Sequence, residues 1–149
     1  VLGEVRGEET LDMLQAMNTG HDGSLTTIHS NTPRDALARL ETMAMMGEIR
    51  IAEKAIRAQI AAAVHIIVQA SRMSDGTRRI THITELTGAF SDVISMQDIF
   101  IFKRKGVGAD GKVIGAFEPT RIRPKFLDQL RIAGVIFPPS IFETTMEVN

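Results

Sequence analysis

Apolar positions along the chain follow two periods. From Glu8 to Asn18, Leu11, Leu14 and Met17 recur at three-residue spacing, one face of a helix. Asn18-Thr19-Gly20 follows as a stop, with Gly20 suited to the left-handed closing position. A second helical stripe runs through Ala36, Leu37, Leu40, Met43 and Ala44. It carries its own start signal: Thr32 as cap, Pro33 at the first helical position and Asp35 where a capping box wants a carboxylate. Ala52 to Ala63 predicts a third helix, with Ile56 and Ile60 one turn apart.

After Ala63 the pattern becomes β-prone. Val64 to Ala70 and Arg79 to Thr87 predict a hairpin closed by Ser74-Asp75-Gly76-Thr77. Met96 to Lys103 is the strongest strand, and Val113 to Phe117 predicts its return partner. Pro124 opens a short helix bearing Phe126, Leu127 and Leu130, closed by Gly134, and Pro138-Pro139-Ser140 leads into a last apolar turn. Near the start, Val1 and Leu2 predict the end of a buried strand, turned out at Gly3, and Leu25 to Ile28 a second short one. The order β-α-β-α-α followed by antiparallel hairpins predicts an α/β protein. Residues 1–70 suit half of a parallel α/β sheet, and residues 71–149 suit appended hairpins with a short carboxyl-terminal helix.

Composition narrows the partners. With 149 residues, 44% hydrophobic and 23% charged, the chain has the size and balance of one globular domain. A formal net charge of −1 with both signs interspersed argues against nucleic acid as a partner. The absence of cysteine removes thiolate metal sites and fits a reducing, cytoplasmic setting. Ile60 to Val68, the most apolar run, is too short to cross a bilayer. The bare apolar start at Val1-Leu2 suggests a piece of a longer protein.

One stretch imitates a phosphate loop. Gly106-Val107-Gly108-Ala109-Asp110-Gly111-Lys112 matches G-x-x-x-x-G-K but continues with Val113, where that motif needs a hydroxyl for Mg²⁺. A working loop leads into a helix, whereas Val113 to Phe117 is β-prone. The expectation is a hairpin turn around Asp110-Gly111.

Candidate chemistry is densest between Gly3 and Asn31. Glu4 directly follows a predicted strand, at the carboxyl end where open α/β sheets place their sites. Local pattern leaves two readings open: a solvated charge, or a carboxylate that orients or deprotonates water. His21 and His29 bracket one short strand among hydroxyls and could meet a phosphate or shuttle a proton. Equally, His21 could serve the turn and His29 a structural bond. His21, Asp22 and His29 also offer a metal-hydrolase reading, although no compact ligand spacing supports it. Arg6 and Arg34 are near enough in sequence to reach a phosphate; His65 and His82 fall in strand patterns and read as structural. Met43 to Met46 reads as adaptable core or interface filling.

At VLGEVRGEETLDMLQAMNTGHDGSLTTIHSNTPRDALARLE the sequence closely resembles the type II/type IV secretion ATPases, and within them the tight-adherence (Tad/Flp) pilus-assembly ATPases. The resemblance continues through IVQASRMSDGTRRITHITELTG, MQDIFIFK and IRPKFLDQLRIAGVIFPPSIF, covering essentially the whole chain. It implies the carboxyl-terminal half of a RecA-like P-loop NTPase motor that works as a hexamer, uses ATP with Mg²⁺, and sits on the cytoplasmic side of an inner-membrane platform whose proteins are its partners. By position, Gly3-Glu4 matches the end of the Walker B segment, making Glu4 the carboxylate that positions the attacking water; no residue is expected to bind metal directly, and Mg²⁺ would come with the nucleotide and could be met through Glu4. Gly20, His21, Thr27 and His29 match the histidine box, which senses the phosphates, with His29 grouped beside Glu4 as catalytic. Arg6 belongs to the same signature. In the family the phosphate loop, an acidic box and an amino-terminal domain lie upstream of the matched region, so the 149 residues alone are expected to be inactive. The alternative function is a non-catalytic module for ring assembly or platform docking, with the carboxyl-terminal hairpins and Ile122 to Phe142 as candidate surface.

Overall fold

The computed structural model describes residues 1–21, 23–47, 51–90 and 92–148. Its order is α1 (Glu9–Asn18), α2 (Pro33–Ala44), α3 (Glu53–Ala63), β1 (Ile66–Arg72), β2 (Arg78–Phe90), β3 (Val93–Val107), β4 (Val113–Pro119), α4 (Phe126–Ile132), a 3-10 turn (Pro139–Phe142) and β5 (Met146–Val148). The chain forms two compact units. The first holds residues 1–65 with 86–95, and the second 66–85 with 96–149.

In the first unit the three helices bury the stripes that the sequence lays out. Leu11 and Leu14 of α1, Leu37 and Leu40 of α2, and Ile56 and Ile60 of α3 are all buried. The α2 start forms as its sequence predicts: Thr32 Oγ1 accepts the Asp35 N–H at 3.1 Å and Pro33 opens the helix. Arg57 of α3 donates to Glu41 of α2 at 2.9 Å and to Glu53, one turn back, at 3.2 Å. The methionine run divides: Met43 is buried, and Met45 and Met46 are exposed.

The predicted strands at Val1-Leu2 and Leu25–Ile28 shrink to one parallel bridge, Leu2 to Thr26. Leu2 N–H donates to Leu25 O at 2.9 Å. The next bond of a regular parallel ladder would come two residues on, from Glu4. It comes instead from Val5, which donates to Thr27 O at 3.0 Å. One extra residue is therefore inserted at Gly3-Glu4, and the pairing stops there.

The second unit is built on a five-stranded sheet in the order β1-β2-β3-β4-β5, a meander rather than a parallel sheet. β1 pairs antiparallel with β2, β3 with β4, and β4 with the three-residue β5. The register of β3 and β4 shifts between Arg104 and Gly106. That bulge carries β3 through its basic run, whose Lys103 and Lys105 find Glu118 and Glu147 at 2.9 and 2.7 Å. Phe100 stacks on Phe117 at 5.2 Å, and Arg79 lies over the Phe102 ring at 5.6 Å. Gly115 of β4 is packed tightly: an added Cβ would run into the Phe102 ring and stand 2.7 Å from Lys103 O.

The phosphate-loop lookalike is a hairpin turn between β3 and β4. Gly108 N–H donates to Lys112 O at 2.8 Å, and Gly111 takes the left-handed φ of 77° that the turn requires. The strand β4, and not a helix, follows Lys112, so the helix amino end that a phosphate loop uses is missing at this turn. Lys112→Ala is expected to leave nucleotide affinity within about twofold in an equilibrium titration, and a tenfold loss would reverse that reading.

Asp75 ties two turns together. Its carboxylate accepts Thr77 N–H at 2.9 Å and Thr77 Oγ1–H at 2.6 Å within the β1–β2 turn, and Val113 N–H at 2.7 Å from β4. The Thr77 hydroxyl and then the Val113 amide hold its pKa down to about 2 from 3.8. A carboxylate depressed on folding stabilises fully above its unfolded pKa and loses that contribution as pH falls through the folded value. Asp75→Asn is therefore expected to lower the melting temperature near neutrality, and the gap from wild type is expected to close between about pH 4 and pH 2. Melts across that range read it directly.

Candidate functional site

The inserted residue at Gly3-Glu4 fixes the site. Val5 is buried at 1% exposure, so the chain is anchored immediately beyond Glu4. Extra residues of this kind re-aim side chains, and here the Glu4 carboxylate meets a guanidinium and an imidazole. Arg6 Nη2 donates to Glu4 Oε2 at 2.7 Å, and His29 Nε2 lies 3.3 Å from Glu4 Oε1. Glu4 is three-quarters covered, with 23% of its side chain exposed, while Arg6 and His29 are 76% and 81% exposed. The cluster is a shielded carboxylate under two donors that face solvent.

Thr27 holds the two segments at this point. Its carbonyl accepts the Val5 N–H, and its hydroxyl donates to Gly3 O. Arg6 is held from the other side, because its N–H donates to Glu9 Oε1 at 2.7 Å where α1 begins. That bond depresses the Glu9 pKa. Thr26 Oγ1, at the bridge itself, is buried without a hydrogen-bond partner.

The hydrogen bond from Arg6 is the largest cause holding the Glu4 carboxyl below its usual range, followed after desolvation by the charges of Arg6, His29 and Arg39. Glu4 is thus a carboxylate at neutral pH and a poor proton acceptor. Such a group aligns a water or a cation through charge and hydrogen bonding more readily than it removes a proton outright.

The structure brings Glu4, Arg6, Thr27 and His29 together. Gly20 and His21 belong instead to the turn that closes α1: Gly20 has φ 85°, and His21 Nδ1 lies 3.1 Å from Ala16 O. Asp22, part of the metal reading, lies outside the described residues, among which no group of three possible metal ligands gathers. Arg34 donates to Ile94 O at 3.1 Å, a structural bond. His65 O accepts Leu86 N–H, and His82 Nδ1 lies 3.1 Å from Thr81 Oγ1.

Two residues of the surroundings escape sequence reasoning. Glu9 reads as one of two adjacent helix-start acids, and only its reach back to Arg6 singles it out. Arg39 falls on the polar face of α2, opposite Leu37 and Leu40, a placement that periodicity supplies without naming Glu4 as its neighbour.

The sequence profile of the family described as Type II/IV secretion system protein matches residues 1–103, and the chain belongs to that family. A putative conjugal transfer protein of Mycobacterium tuberculosis is 42% identical over 89 residues, covering 60% of this chain and 25% of that protein. The type IV secretion system protein PtlH of Bordetella pertussis is 34% identical over 82 residues, covering 53% and 24%. Among solved structures, the VirB11 ATPase of the Brucella suis type IV secretion system, in complex with sulphate, superposes with a TM-score of 0.52 at 28% identity, covering 55% of this chain and 26% of that one. The chain spans about a quarter of the length of these relatives. No helix among the described residues is long and apolar enough to cross a membrane.

The donor set suits one side of a nucleotide site. A carboxylate fits a water or a Mg²⁺ shell, and the exposed Arg6 and His29 fit phosphate oxygens. Among the described residues the sequence offers one phosphate-loop spelling, Gly106 to Lys112, and that is a hairpin turn.

Proposed function

We propose that this chain is the water-orienting portion of a secretion ATPase, a RecA-like motor that couples ATP hydrolysis to pilin assembly or export. The observation that carries the reading is the Glu4 carboxylate held between Arg6 and His29. Family membership over residues 1–103 supports it. ATP bound with Mg²⁺ would supply the phosphoryl group and neutralise its charge. Glu4 would accept a hydrogen bond from the attacking water, or from water on the metal, and hold it in line. Arg6 and His29 would face the phosphate oxygens and compensate charge that develops there, the main protein contribution in phosphoryl transfer. Thr27 would keep the Glu4 and His29 segments in register, and Gly20 and His21 would act from the closing turn of α1.

The phosphate-gripping residues would come from a chain segment beyond these 149 residues, and the working form would be a hexamer at a membrane platform. The resemblance of the motifs favours the tight-adherence pilus branch of the family. Turnover by the 149-residue chain alone is expected to be negligible, and a longer chain that includes a phosphate loop is expected to restore it. In that longer chain His29→Ala is expected to lower the rate by ~10²-fold with an unchanged melting temperature. An unchanged rate would leave His29 a purely structural partner of Glu4.

A further inference from the structure

The family match ends at residue 103, and a concavity of the second unit lies beyond it. Residues between Arg121 and Glu143 enclose a groove of about 670 Å³, within the range of sites that hold a ligand or several side chains. Leu127, Val135, Phe137 and Phe142 give it an apolar lining, and Arg121, Arg123 and Arg131 give it three guanidinium groups against one carboxylate, Glu143. Arg123 is already engaged by Asp128 at 2.7 Å. Ile136, also in the lining, is 80% exposed, and Phe137 is 41% exposed. Arg121 has φ 65°, the left-handed region that a residue with a Cβ rarely adopts. The fold accepts that conformation at a residue lining the groove.

We propose that this groove docks an acidic amphipathic segment of a partner protein. Its apolar side chains would settle against Phe137, Phe142 and Ile136, and its carboxylates would meet Arg121 and Arg131. Arginine favours that pairing, because its planar fork matches a carboxylate in two-point contact. Shape decides against a bilayer as occupant: surfaces that lie on lipid present an apolar face outward, whereas this lining is concave and includes Glu143. The proposal is independent of phosphoryl transfer, since docking is read without nucleotide.

Fluorescence anisotropy on the full chain tests it with two labelled amphipathic helical peptides, one Glu/Leu and one Lys/Leu, alongside phosphatidylglycerol/phosphatidylethanolamine vesicles. The Glu/Leu peptide is expected to bind saturably, at least ~10-fold more tightly than the Lys/Leu peptide, and to weaken as salt rises. Arg131→Glu, with circular dichroism unchanged, is expected to cost ~10-fold in affinity. Ile136→Asp, at an exposed position that folding does not need, is expected to weaken the same peptide. Equal affinity for both peptides, no saturation, indifference to both variants, or binding to vesicles but to neither peptide would overturn the proposal.

Discussion

Replacing Glu4 with Gln in a longer chain that carries a phosphate loop is expected to lower ATP turnover by ~10²- to 10⁴-fold while leaving ATP binding within about twofold. Gln keeps the shape and one acceptor oxygen, so the backbone around Val5 and the Leu2–Thr26 bridge should persist. What it removes is the negative charge that Arg6 and His29 converge on. Because a water-orienting group acts at the chemical step, the loss should fall equally on kcat and kcat/KM, with KM little changed. Steady-state phosphate release beside nucleotide titration separates the two effects. Normal turnover would remove Glu4 from the reaction and reduce the cluster to a surface ion pair, which typically contributes little.

The second large effect is on stability. Glu85 in β2 is buried, at 3% exposure, and its carboxylate accepts three hydrogen bonds: Gln97 Nε2–H at 2.7 Å, Lys125 N–H at 3.0 Å and Phe126 N–H at 2.8 Å. The last two are free amides at the start of α4, where a negative charge is favoured. Glu85→Ala would leave those part-buried donors without their acceptor and is expected to cost about 2 kcal/mol in urea unfolding. Trypsin should then cut at Lys125 and Arg131 well before the rest of the chain unfolds, because a seven-residue helix does not persist alone. Glu85→Gln should lie between, since one carbonyl oxygen remains and the amide turns a donor toward other donors. A stability equal to wild type would mean that α4 is held by other contacts.

Sequence pattern revealed the helices well because each carries its own information. The Thr32 cap, the Leu11–Leu14 spacing and the Ile56–Ile60 turn are local, and the observed elements begin and end within a few residues of where they point. The same holds for the Asp75-Gly76 and Asp110-Gly111 turns. Strands were less legible because partners decide them. Leu25–Ile28 has β propensity, but the extra residue at Gly3-Glu4 stops its pairing after one bridge. Met146–Val148 carries no strand signal of its own and exists as β5 because β4 presents a free edge. β3 runs past Lys103, where the predicted strand ends, to Val107, with Lys103 and Lys105 paired to Glu118 and Glu147 across the sheet. In the site, sequence placed Glu4, Arg6 and His29 in one region. It could not show that Arg6 and His29 share one carboxylate, which depends on a slip of one backbone bond at Gly3-Glu4, or that His21 turns toward Ala16, which depends on how α1 closes.

Gly115 gives this chain an evolutionary signature that spelling alone would misread. Its place beneath Phe102 and beside Lys103 O leaves no room for a methyl group, so selection should retain glycine there in any relative that keeps this hairpin, while Lys112 is free to drift. A saturation library scored for folding is expected to show intolerance at residue 115 and broad tolerance at residue 112. The glycines of this hairpin would then persist for two local reasons, the left-handed turn at Gly111 and the close packing at Gly115.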